Sequence, residues 1–110
     1  VITMDSSFTH SGSRRNLLGE DPANEAVRHY SNELQINEKT PPAFLVHSGD
    51  DNAVPVRNSI VYFEGLKKFN SPSELHVFRK GGHGYGMAAG KDTQSAWPAL
   101  CLSWMKSLGF

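Results

Sequence analysis

Two polar clusters in this sequence contain the residue types that acid–base catalysis uses. One is Asp50-Asp51-Asn52, and the other is His83, which stands in a loop between glycines at positions 81, 82, 84 and 86. A carboxylate that orients a histidine, and a histidine that takes a proton from a nucleophile, are two members of a nucleophile–His–Asp triad. The glycines suit this role because their freedom at positive φ lets a loop carry the imidazole ring to both neighbours. Taken alone, the first cluster also fits a turn with a helix cap, and the second a flexible surface loop.

Each cluster follows a segment that is predicted to be a buried strand. Residues 41–48 begin with two prolines and continue as an apolar run without a polar face, which is typical of a parallel strand covered on both sides. Residues 74–79 form a second strand, and residues 55–69 between them have apolar side chains at helical spacing. Because such a unit has parallel strands and a right-handed crossover, both clusters should lie at the same edge of the sheet. The sequence therefore predicts that Asp51 and His83 are neighbours in space.

The flanking segments complete a predicted α/β domain. Val1–Met4 is apolar and β-prone, which predicts a short buried strand. Residues 5–40 are long for a connection between strands, and either a lid over the site or a solvated surface excursion fits them. Within them, Asp21 is a candidate cap for a helix over Ala23–Asn32. A final helix is predicted over residues 93–108, regular from the position just before its proline.

Composition excludes several classes of function. The 110 residues carry 11 basic and 11 acidic side chains, whereas a nucleic-acid or anionic membrane surface needs a basic excess. No apolar run approaches the ~20 residues of a membrane span. Cys101 is the single cysteine, and the five histidines lack the short spacings of metal ligands; His47, at a strand end, is expected to be a hydrogen-bonded structural residue. We expect one small domain with no cofactor, no metal, and no nucleic-acid or membrane partner.

The longest distinctive stretches are FLVHSGDDNAVPVRNSIVYFEGL, residues 44–66, and ELHVFRKGGHGYGM, residues 74–87. Together they resemble the C-terminal part of α/β-hydrolase esterases, and more narrowly the acetyl-esterase and xylanase-associated esterase branch, which is related to dienelactone hydrolases and prolyl oligopeptidases. The resemblance implies that residues 1–110 are the C-terminal segment of a single α/β-hydrolase domain. It also implies a serine ester hydrolase that acts on short acyl esters, such as acetyl groups on plant xylan.

The same resemblance assigns roles to individual residues. His83 matches the catalytic histidine, and Asp51 matches the catalytic acid, which in the family lies three positions before a Val-Pro dipeptide. Asp50 remains the alternative acid if the strand ends one residue earlier. Because neighbouring side chains in a turn point apart, only one of the two carboxylates should reach His83. Beside these residues, Asn52 and Tyr85 are candidate substrate-binding residues, although simple packing is equally compatible with Tyr85.

The nucleophile of the family is not found in this sequence. No G-x-S-x-G motif occurs, and the serines at positions 11, 13, 48 and 59 each lack that context. Without a serine to deprotonate, His83 should support no esterase turnover in the 110-residue chain by itself. We expect the chain to need the N-terminal half of the fold, or self-association, to cover its apolar surface. Two alternatives remain: a non-catalytic interaction module that pairs through a sheet edge at Val1–Met4, and a segment of a prolyl-oligopeptidase-type serine peptidase.

Overall fold

The elements surround a short parallel sheet. The computed structural model describes residues 1–90 and 92–110. In chain order the helices and strands are α1 (Ser11–Leu18), α2 (Asn24–Tyr30), β1 (Phe44–Ser48), α3 (Arg57–Lys68), β2 (Glu74–Phe78) and α4 (Trp97–Ser107). Single turns of 3₁₀ helix cover Asn32–Leu34 and Thr93–Ala96. The described elements contain no helix that is both long enough and apolar enough to cross a membrane.

The β1–α3–β2 unit has the predicted parallel arrangement. Phe44 lies opposite Glu74, and the register continues to Ser48 opposite Phe78. Strand β1 begins later than the predicted residue 41, because the prolines at 41 and 42 have no N–H group to donate to a ladder. Helix α3 connects the end of β1 to the start of β2, as in a crossover that returns the chain to the same end of the sheet.

Helices cover both faces of this sheet. Successive strand residues point to opposite sides. On one side Phe44 packs against Trp104 of α4, with the ring centroids 5.6 Å apart and the rings tilted by 45°. On the other side, Leu45 and Tyr62 of α3 line one common groove. In the described part of the chain β1 pairs with β2 alone, so its second edge faces no strand. The result is a helix–sheet–helix sandwich, with the carboxyl ends of both strands at one edge.

The first four residues are not a strand, contrary to the prediction. A strand requires a neighbouring backbone to pair with, and here side chains take that place. Two backbone N–H groups of Val1–Met4 donate to the Asn58 amide oxygen, at 3.0 and 3.2 Å. A third donates to the Ser31 hydroxyl at 2.9 Å. The predicted burial is correct for Thr3 and Met4, which are 0% and 5% exposed.

The segment from residue 5 to residue 40 contains two short helices, of which only the second was predicted. Helix α1 occupies part of the predicted lid or surface excursion, and the ring of His10 caps it by accepting the Ser13 N–H at 3.2 Å. The helix ends at Gly19, where φ is 86°. Helix α2 is shorter than the predicted 23–32 and has no side-chain cap, so Asp21 does not have the capping role expected of it.

Candidate active site

The loop after β1 holds one carboxylate in a fixed orientation. Asp51 has a side chain only 6% exposed, and its Oδ1 accepts the backbone N–H groups of Ala53 and Val54, each at 2.9 Å. Burial by itself would raise the pKa of Asp51, but the bonds from Val54, His83 and Ala53 oppose it and bring the pKa below the ordinary 3.8. The acid is therefore a carboxylate at neutral pH, with Oδ2 directed away from the loop that binds Oδ1.

The loop after β2 brings His83 to that second oxygen. The imidazole Nδ1 lies 2.9 Å from Asp51 Oδ2. Because a carboxylate only accepts hydrogen bonds, Nδ1 carries the proton and Nε2 keeps a lone pair. The His83 side chain is 58% exposed, and Nε2 makes no hydrogen bond to any residue the structure describes. This nitrogen is free to accept a proton from a group placed beside it.

Glycine is required at two positions before His83. A side chain at Gly81 would overlap the Ser48 hydroxyl at the end of β1. Gly82 has φ of 61°, a left-handed conformation that side chains rarely adopt. Its N–H donates to Asp50 Oδ1 at 2.9 Å. The two acidic residues therefore have different partners: Asp51 binds the imidazole, and Asp50 binds the backbone of the loop that carries it.

Sequence reasoning missed a second histidine beside the acid. His47 is hydrogen-bonded, as expected of a structural residue, through Nδ1 to Ser59 Oγ at 2.7 Å and through Nε2 to the Val54 carbonyl at 2.9 Å. Its Nε2 is also 3.3 Å from Asp51 Oδ2, the same oxygen that His83 uses. The spacing of four residues between His47 and Asp51 was visible in the sequence, but it does not indicate that the intervening turn brings the side chains together.

A cleft of about 480 Å³ opens beside His83. Its lining includes apolar groups such as Val46 and Trp97, together with Tyr85, and contains no residue of the 5–40 segment. Burial raises the pKa of the Tyr85 phenol, the nearby Ser48 hydroxyl lowers it, and the charge of Asp51 raises it further. Asn52 is exposed and lies outside the lining. Among the described residues, no group of three histidine, cysteine or acidic side chains could hold a metal ion.

Comparison with known proteins gives consistent results at the level of sequence and of structure. Residues 2–108 match the sequence profile of the prolyl oligopeptidase family. The chain is 37% identical over 81 residues to endo-1,4-beta-xylanase B of Butyrivibrio fibrisolvens, and 31% identical over 90 residues to the acetylxylan esterase of Xylanibacter ruminicola. These alignments use 74% and 78% of the chain.

A solved structure extends the match to the whole chain. The acetyl ester-xyloside bifunctional hydrolase from Caldicellulosiruptor lactoaceticus is 43% identical and covers 100% of this chain with a TM-score of 0.95. The chain spans 40% of that protein, and 13% and 19% of the two curated relatives. The predicted fold class, an α/β-hydrolase fold with parallel strands and flanking helices, is confirmed.

Proposed function

We propose an activity for this chain from the premise that it belongs to the prolyl oligopeptidase family of α/β-hydrolases. The chain supplies Asp51 and His83 to a carboxylic ester hydrolase that removes short acyl groups, acetyl above all, from plant polysaccharide. The observation that carries the proposal is the 2.9 Å bond between His83 Nδ1 and Asp51 Oδ2, with Nε2 left free beside the cleft. The nucleophilic serine comes from a part of the fold that these 110 residues do not contain.

The two residues have distinct tasks in this reaction. The serine oxygen attacks the ester carbonyl carbon and gives its proton to His83 Nε2, while Asp51 stabilises the imidazolium that forms. The tetrahedral intermediate then breaks its bond to the sugar oxygen, which leaves with the proton from His83. Water attacks the acyl-enzyme next, and His83 takes a proton from that water and returns one to the serine. Acetate and the free serine are the products.

The substrate class rests on relatives and on the shape of the cleft. The acetylxylan esterase of Xylanibacter ruminicola and the acetyl ester-xyloside hydrolase of Caldicellulosiruptor lactoaceticus are named for acetyl esters and xylosides. A cleft with apolar walls next to His83 suits a short acyl chain, which has no polar group besides its carbonyl. The proposed substrate is therefore an acetylated xylan fragment, which carries short acyl esters on xylose units.

An exchange of segments tests the proposal. The segment of the Caldicellulosiruptor lactoaceticus hydrolase that matches this chain is replaced by residues 1–110, so that the host supplies the serine. The chimera should hydrolyse p-nitrophenyl acetate and release acetate from acetylated xylan. His83→Ala in the chimera should lower kcat about a thousandfold or more, because the general base is lost.

Controls separate catalysis from damage to the fold. His76→Ala changes a histidine of β2 that bonds to Glu74 at 3.0 Å and does not line the cleft, so activity should be unchanged. The 110-residue chain alone should give no steady turnover. A folded chimera that loses the activity of the host, or that keeps it after His83→Ala, would refute the assignment.

A second candidate function follows from the family itself. Prolyl oligopeptidases use the same acyl-transfer chemistry on peptide bonds, and residues 2–108 match their profile. The same chimera, assayed with a blocked Gly-Pro amide substrate, distinguishes the two. Amide cleavage faster than acetyl ester cleavage would favour the peptidase, whereas ester cleavage alone favours the esterase.

A further inference from the structure

The buried ring of His47 contacts the same carboxylate as the exposed ring of His83. Both imidazoles approach Asp51 Oδ2, His83 through Nδ1 at 2.9 Å and His47 through Nε2 at 3.3 Å. The exposed fractions of the two side chains are 58% and 11%. His83 is therefore accessible to a reacting group, whereas both ring nitrogens of His47 are already bonded to protein groups.

The hydrogen bonds of His47 determine which of its nitrogens carries the proton. Nε2 faces two groups that can only accept, the Val54 carbonyl at 2.9 Å and the Asp51 carboxylate. A proton must therefore reside on Nε2. Nδ1 lies 2.7 Å from Ser59 Oγ, a hydroxyl that can donate to it, so the neutral ring is satisfied at both nitrogens. Ser59 is 5% exposed and belongs to the first turn of α3, which gives it a fixed position.

This arrangement holds the acid by two routes. Directly, the Nε2–H of His47 lies beside the charged Oδ2. Indirectly, it binds the carbonyl of Val54, the residue whose own N–H binds Asp51 Oδ1 at 2.9 Å. The loop from 51 to 54 is thus fixed against the end of β1 through one ring. A small rotation of the carboxylate would move Oδ2 away from His83, because Oδ1 and Oδ2 turn together.

We propose that His47 is a positioning residue, held in its Nε2–H tautomer by the Val54 carbonyl and the Asp51 carboxylate and anchored through Nδ1 by Ser59. It fixes the orientation of Asp51 and so keeps the His83 proton on Nδ1. The inference rests on the proposed function in one respect, the use that is made of His83 Nε2. His47 and His83 are coupled through the Asp51 carboxylate, and this coupling can be measured without catalysis.

Long-range ¹H–¹⁵N NMR spectra of the ¹⁵N-labelled 110-residue chain report the tautomer of each histidine ring. At a pH near 8.5 a histidine is ordinarily neutral, and His47 should show the Nε2–H form and His83 the Nδ1–H form. His47→Phe keeps a ring but removes both nitrogens. The ratio of Nδ1–H to Nε2–H at His83 should then fall about fivefold, the factor that one ordinary hydrogen bond contributes.

Further variants separate positioning from packing. His47→Gln places an amide N–H near the position of Nε2 and should keep the His83 ratio within about twofold of the wild type, less than the effect of one hydrogen bond. His29→Phe removes an exposed histidine of α2 and should change nothing at His83. If His47→Phe does not fold, Ser59→Ala provides the test, because it keeps the ring, removes the hydroxyl that anchors Nδ1, and should lower the His83 ratio.

Two results would overturn the inference. One is a wild-type His47 without a proton on Nε2. The other is a His83 tautomer ratio that remains the same in His47→Phe, or in Ser59→Ala where that variant replaces it. Either result would leave the esterase proposal intact, since that proposal depends on turnover in the chimera and on His83 itself.

Discussion

Asn58 joins the N-terminal segment, residues 1–8, to helix α3, and its substitution tests how strongly the two are held together. Its amide group, 1% exposed, lies at the start of α3 and makes four hydrogen bonds. The oxygen accepts the backbone N–H groups of Ile2 and Thr3 at 3.0 and 3.2 Å. The nitrogen donates to the carbonyls of Phe8 and Pro55 at 2.8 and 3.1 Å. Asn58→Ala removes all four bonds. The Pro55 carbonyl still accepts the backbone N–H of residue 58 at 2.9 Å, whereas the N–H groups of Ile2 and Thr3 and the carbonyl of Phe8 lose the partner that the Asn58 side chain gave them.

The size of the effect follows from these bonds. A hydrogen bond inside a protein contributes about 1 kcal/mol net, and a buried backbone group left without a partner costs about as much or more. Ile2 and Phe8 are half-buried, so hydration of their freed backbone groups should offset part of the loss. We therefore expect Asn58→Ala to lower the free energy of unfolding by about 3 kcal/mol, well above the effect of an ordinary surface substitution.

Urea unfolding followed by tryptophan fluorescence measures the loss, since Trp104 packs on β1. Asn16→Ala is the matched control, because Asn16 is exposed on α1 and its substitution should change stability by less than about 0.5 kcal/mol. Limited proteolysis should cut the Asn58→Ala chain first within the first ten residues, which lose their anchor. A loss of less than about 1 kcal/mol, with no new cleavage there, would refute the anchoring role inferred from the hydrogen bonds.

Two further predictions concern the site. The pKa of Asp51 is below its ordinary 3.8 in the folded chain, so its stabilising contribution is complete above that value and is lost as the pH falls through the lower folded pKa. Urea unfolding between pH 5 and about pH 2 should show this loss in the wild type, and Asp51→Asn should lack that part of the pH dependence; equal slopes in both would contradict it. Gly81→Ala should destabilise the chain by about 1–3 kcal/mol, because the new Cβ overlaps Ser48. Gly19→Ala is the control, because Gly19 has φ of 86° and open space around it, so only the cost of backbone conformation is measured. Chemical denaturation gives the loss of unfolding free energy for both variants, and equal losses would exclude the overlap with Ser48.

The sequence alone determined the elements whose signals are local. Apolar residues at helical spacing located α3, and paired prolines followed by an apolar run located β1, because both patterns arise from the period of the backbone itself. The parallel topology followed from these elements, since a strand–helix–strand crossover has one preferred hand. The neighbourhood of Asp51 and His83 was therefore predictable, and the structure brings the two side chains to 2.9 Å. Their catalytic role is still a prediction.

Features that depend on distant partners were decided by the tertiary structure. Val1–Met4 has strand-like composition, but Asn58 and Ser31 satisfy its backbone in place of a neighbouring strand. The Nδ1 of His47 bonds to Ser59, which is twelve residues away and arrives only when α3 packs on β1. Hydrogen bonds of this kind carry no period along the chain, so no pattern of residue types reveals them. Sequence periodicity records which face of an element is buried, whereas the packed fold decides which polar groups meet there.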